Sequence, residues 1–177
     1  MAMQTIEELF EHELKDIYSA EHSLLAALEQ MAGESSDREI KKAYTQHRKE
    51  TQAQIKRLEK VFKSLGRKPA AETCAGIEGL LKEKKLFMRE KPSPELLEYF
   101  NIGAGQKAER YEITAYEGLI DMADKLGLKD AVELLEQTLQ EEEAALNKLK
   151  MIASEFDVAE EGEEEEEEEK RTTTSRR

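Results

Sequence analysis

Apolar residues recur along most of this chain at alternating spacings of three and four, the mark of one buried stripe on an α-helix. The first stripe runs Ile6, Phe10, Glu13, Ile17, Ala20, Leu24, Ala27, Met31 and stops near Gly33. The second runs Tyr44, His47, Thr51, Gln54, Leu58, Val61, Leu65 and stops at Gly66, a residue suited to the left-handed turn that closes a helix. A third follows Ile102, Gln106, Glu109, Ile113, Tyr116, Ile120 and Ala123 up to Gly127. A fourth follows Leu135, Thr138, Glu142, Ala145, Leu149, Ile152 and Phe156. No run alternates with period two between turn signals, so the pattern predicts an all-α chain.

The starts of these helices are marked as well. Thr5 to Glu8 and Ser36 to Glu39 both have the spacing of a capping box, in which a hydroxyl and a Glu satisfy the unpaired amides of a helix start. Ser93 followed by Pro94 is a cap with proline at the first helical position. Between the second and third stripes, residues 67 to 93 hold Pro69 and Pro92 and only one short helical stretch, from about Ile77 to Met88. The prediction is a four-helix bundle of two antiparallel hairpins joined by a long crossover that carries a short fifth helix.

The polar residues inside the stripes are the unusual feature. Glu142 stands in the middle of the fourth stripe, where burying an unpaired charge costs several kcal/mol. A shift of 91 positions lays the second helix on the fourth, matching Gln46 with Gln137, Glu50 with Glu141, Leu58 with Leu149 and Val61 with Ile152. The same shift lays Glu21 on Glu112 and Met31 on Met122, so the chain is an internal repeat of two hairpins. An α-helix rises 1.5 Å per residue, and antiparallel neighbours are level when they lie equally far from their turn. Glu21, Glu50, Glu112, Glu141 and Glu142 all lie roughly 14 or 15 residues from their turns, so they meet at mid-height; Glu109 is one helical turn from Glu112, whereas Glu13 falls outside this level.

A set of carboxylates gathered inside a bundle repels itself apart unless protons or cations neutralise it. Glu side chains from facing helices are a known means of holding two iron or manganese ions inside a four-helix bundle. The candidate ligands are therefore Glu21, Glu50, Glu109, Glu112, Glu141 and Glu142. His47, three residues before Glu50 and on the stripe, adds one nitrogen.

Composition narrows the alternatives. A chain of 177 residues suits one domain, placed at 1–159, and is long enough to bury a substantial core. A net charge of −13 argues against a nucleic-acid partner, since phosphate binding rests on Lys and Arg. Part of that charge lies in residues 160–177, where nine Glu stand against Lys170, Arg171, Arg176 and Arg177. That segment has nothing apolar to bury and reads as a disordered acidic tail able to meet a basic partner. The absence of a long apolar run and of a leader peptide predicts no membrane contact, and the single Cys74 fits a reducing cytoplasmic setting. No phosphate loop, nucleophile motif or Cys/His zinc pattern appears.

The stretches "LFEHELKDIYSAEHSLLAALEQMA", "HRKETQAQIKRLEKVF", "GQKAERYEITAYEGLI" and "LLEQTLQEEEAALNKL" resemble the ferritin-like superfamily, in particular the stress-associated YciE/YciF-type family, over residues 5–153. The resemblance implies a ferritin-like bundle, a homodimer, and a dinuclear site of two divalent ions, iron or manganese. Oxygen chemistry or manganese-catalase-like peroxide consumption would go with such a site. The chain departs from the wider pattern where a Glu is followed three residues later by His, since Ala53 and Ala144 stand at those places and Thr138 stands where His47 would map. A non-catalytic metal-binding stress protein and a purely structural or interaction bundle without metal are the other two expectations.

Overall fold

The structure is a computed structural model, and it describes residues 2–157; the proposed domain boundary at 159 and the acidic tail lie outside the described residues. Helix α1 spans Ile6–Glu34, α2 Arg38–Ser64, α3 Ala75–Phe87, α4 Pro94–Lys125 and α5 Lys129–Glu155, with one 3₁₀ turn at Met88–Glu90 after α3. Each begins or ends where the local chemistry demands. Thr5 Oγ1 accepts from the Glu8 amide at 3.2 Å while the Glu8 carboxylate accepts from the Thr5 amide at 3.1 Å, the reciprocal pair that the spacing predicts. Ser93 caps α4 with Pro94 in its first turn, and Gly66 and Gly127 take φ of +68° and +70°, the left-handed geometry that closes α2 and α4.

The start of α2 differs from the expected cap by one residue. Asp37, not Ser36, accepts from the amides of Glu39 at 2.7 Å and Ile40 at 2.9 Å. The hydroxyls of Ser35 and Ser36 are instead donated to Glu98 on α4, which also accepts from the Asp37 amide at 3.2 Å. An ionised carboxylate is the stronger acceptor at a helix start. The first stripe also drifts by one position, burying Leu14 and Leu28 where Glu13 and Ala27 were expected to face inward.

The four long helices form a ring in the order α1, α2, α5, α4, with every neighbour antiparallel. Cross-helix pairs fix the levels: Arg48 with Glu29 and Tyr18 with Glu59 between α1 and α2, Gln54 with Glu141 between α2 and α5. Gln106 reaches the Leu149 carbonyl between α4 and α5, and Tyr111 reaches Asp16 between α4 and α1. Helix α3 closes the crossover over α1 and α4, tied down by buried Cys74 and Ile77 and by the Lys84–Glu34 ion pair at 2.6 Å. The core falls into two apolar groups. A larger one is centred on Phe10, Ile17, Phe62, Tyr116 and Leu119, and a smaller one at the α1–α2 turn end on Met31, Ile40, Ile102 and Ile152. Between them lies a polar layer, and that layer is the candidate site.

Candidate metal centre

Four elements contribute to the layer. Helix α2 supplies His47, α4 supplies Glu109 and Glu112 one turn apart, α5 supplies Glu142, and α1 supplies Glu21; all five are buried, and Glu142 is completely so. One ligand atom from each of His47, Glu109, Glu112 and Glu142 lies within 4.8 Å of every other, a spacing at which a single ion can touch all four. His47 Nε2 stands 3.2 Å from Glu109 Oε1 and 3.5 Å from Glu142 Oε2. Its other nitrogen, Nδ1, faces Glu50 Oε2 at 3.4 Å. When the imidazole gives up its Nε2 proton, the proton kept on Nδ1 and shared with Glu50 turns the Nε2 lone pair into the cluster, the way a carboxylate fixes the orientation of a metal-binding imidazole.

The structure thus brings His47, Glu109, Glu112 and Glu142 together and sets the other sequence candidates around them. Glu21 is buried beside them, with Oε1 accepting the Tyr116 hydroxyl. Glu50 is half-buried, on the far side of His47, and also accepts from Gln46 at 2.9 Å. Glu141 is half-buried and is held by the Arg57 guanidinium and by Gln54 Nε2 at 3.1 Å. Arg57 is the residue that the stripe pattern did not single out, because it flanks the stripe beside Leu58. Its signal was level rather than face: it lies one turn beyond Gln54, in a layer crowded with acids.

The electrostatics follow from burial. Desolvation raises the Glu112 and Glu142 carboxyls well above their ordinary range, and each neighbouring carboxylate raises them further. Burial pushes Glu21 up to about 7 against the Tyr116 hydrogen bond and the charges of His47 and Arg57, which pull it down. Burial alone would lower His47, but the Glu109 charge and the hydrogen bonds to Glu109 and Glu50 outweigh it and raise the imidazole well above its ordinary value. Without a metal, protons and an imidazolium must balance the acids.

Whether these residues suit a cation is decided by which oxygens are left over. Among the described residues, Glu109 Oε2, Glu112 Oε1 and both oxygens of Glu142 are buried without a hydrogen-bond partner. Buried acceptors are nearly always satisfied, so four such atoms on the three acids grouped with His47 fit a cation. Three carboxylates and one imidazole make a donor set that a divalent cation could accept. A cavity of about 340 Å³ opens onto His47 and Glu109 between Leu28, Ala43, Ala145 and Leu149.

Comparison with known proteins places this arrangement in context. Residues 5–161 match the protein family described as a domain of unknown function, DUF892. The chain is 38% identical over 154 residues to protein YciF of Escherichia coli (strain K12), covering 86% of this chain and 93% of that protein. The crystal structure of the E. coli stress protein YciF superposes with a TM-score of 0.80, covering 85% of this chain and 96% of that one. A solved structure of YcfI from Rhodopseudomonas palustris, provisionally described as a structural protein, is 41% identical with a TM-score of 0.80, covering 83% and 94%.

Proposed function

This chain belongs to the DUF892 family, and on that premise we propose that it is a ferritin-like, stress-related metal-binding protein whose buried acids hold iron or manganese for peroxide or dioxygen chemistry. One observation carries the reading: ligand atoms of His47, Glu109, Glu112 and Glu142 lie within 4.8 Å of one another and each of the three acids keeps a buried oxygen without a partner, while Glu50 faces the opposite nitrogen of His47. A bound ion of this kind would supply electron transfer to a small oxidant. The chain's own part is to hold the ion in a layer between two apolar clusters, to fix the imidazole through Glu50, and to admit a small molecule through the cavity beside His47.

Chelator-treated protein tests the reading. Manganese(II), or ferrous iron without air, should raise the melting temperature, by the equivalent of about 2.7 kcal/mol at a hundredfold excess over the dissociation constant. The double change Glu109→Gln with Glu142→Gln should abolish the rise in a variant that still unfolds cooperatively, because it removes two of the three acids grouped with His47. A wild-type protein indifferent to both metals would leave the second reading, a structural bundle in which protonated His47 and protons on the buried carboxyls balance the acids. The raised imidazole and the description of the R. palustris relative favour that alternative. Consumption of hydrogen peroxide by the metal-loaded protein would then separate an enzyme from a metal-binding protein without catalysis.

A further inference from the structure

The 91-residue repeat relates the two halves of the polar layer, and the halves are chemically unequal. It carries α1 onto α4 and α2 onto α5, so a symmetric pair of ion sites would repeat His47, Glu109, Glu112 and Glu142 at their partner positions. Those partners are Thr138, Tyr18, Glu21 and Thr51. Only one of the four is a carboxylate. The three hydroxyls are already engaged: Tyr18 donates outward to Glu59 at 3.3 Å, Thr51 donates to the His47 carbonyl at 3.1 Å, and Thr138 donates to the Leu134 carbonyl at 3.3 Å while accepting from Arg57 Nε at 2.9 Å. The one carboxylate, Glu21, already accepts the Tyr116 hydroxyl.

A cation of the chain's own stands there instead. The Arg57 side chain is buried and spans Thr138, which occupies the place corresponding to His47, and Glu141, which corresponds to Glu50. A guanidinium keeps its charge at every accessible pH and repels a divalent ion placed beside it. The repeat position of Arg57 is Lys148, which lies at the wall of the cavity, and that of Gln54 is Ala145, so the side filled by Gln54 and Arg57 on one half is open on the other.

We propose that the layer takes one divalent cation per chain, at His47, Glu109, Glu112 and Glu142, and that Arg57 occupies the place of a second ion. The proposal rests on the metal reading above and narrows it, since the residues of the second half do not fit a dinuclear pair.

The test is the number of ions bound. Chelator-treated full-length protein titrated with manganese(II) alone, with free metal counted by its paramagnetic resonance signal, should saturate at one ion per chain, and the bound ion should give the spectrum of an isolated centre. The double change Arg57→Met with Thr138→His removes the guanidinium and restores the missing imidazole, and should raise saturation to two ions with a spin-coupled spectrum. Two coupled ions in the unaltered protein would overturn the proposal while leaving the metal reading intact. A folded double variant that still takes one ion would show that Arg57 is not what excludes the second. No binding by the unaltered protein would remove the metal reading and this proposal together. Should the double variant fail to fold, the count for the unaltered protein decides alone.

Discussion

His47 faces two ways, and its two nitrogens have different tasks. Nδ1 meets Glu50 and Nε2 meets Glu109 and Glu142, so Glu50 sets the orientation of a ligand without lying among the four converging groups. Glu50→Ala should therefore weaken manganese binding about 10- to 100-fold while barely changing the melting temperature of the metal-free protein, as titration calorimetry would read. Equal loss of binding in Glu50→Ala and Glu109→Gln would contradict this division of labour. The protons have a sign as well. Glu21, Glu112, Glu142 and His47 all titrate above their ordinary values, so the native state holds more protons than the unfolded one from about pH 5 upward. Their contribution is present below the unfolded values and is lost as pH rises through the folded ones. Metal-free protein should melt lower at pH 8 than at pH 6, whereas metal affinity should rise over the same interval because fewer protons need displacing. Calorimetry in buffers of different protonation heat should register proton release on binding.

At the scale of the elements, the stripes located all four long helices to within a residue or two, and the crossover helix as well, because Gly66, Gly127 and Ser93-Pro94 punctuate the chain strongly. The site was legible in part, for a geometric reason. Distance from a turn gives height, and Glu50, Glu141 and Glu142 share one height. Facing is given by the stripe, and successive residues differ by about 100° around a helix. Glu142 lies on the stripe and is fully buried, whereas Glu141, one position earlier, turns toward Arg57 at the α2–α5 seam. Arg57 itself was invisible to an apolar pattern. The cap of α2 depended on a competitor in another helix, Glu98, that local spacing does not contain. The crossover offers its own test. The Gly76 Cα packs against the Tyr111 ring, so a methyl group there would collide with it. Gly76→Ala should cost on the order of 1–3 kcal/mol in denaturant unfolding, as overpacking at a tight contact does, and an unchanged midpoint would show that α3 is free to shift.

For the whole molecule, two apolar clusters clamp a charged layer, so the stability of the bundle and the occupancy of the layer are one thermodynamic problem. None of the described helices is long and apolar enough to cross a membrane. The homodimer that the family resemblance implies is checked by light scattering, which should return about twice the chain mass of 20.3 kDa at micromolar concentration, with a monodisperse monomer counting against it. The central claim is that the converging acids and His47 are a metal site. Elemental analysis of protein purified without chelator, side by side with the Glu109→Gln, Glu142→Gln variant, tests it most directly. The account predicts iron or manganese bound to the unaltered chain and lost from the folded variant; equal metal in both, or none in either, would contradict it.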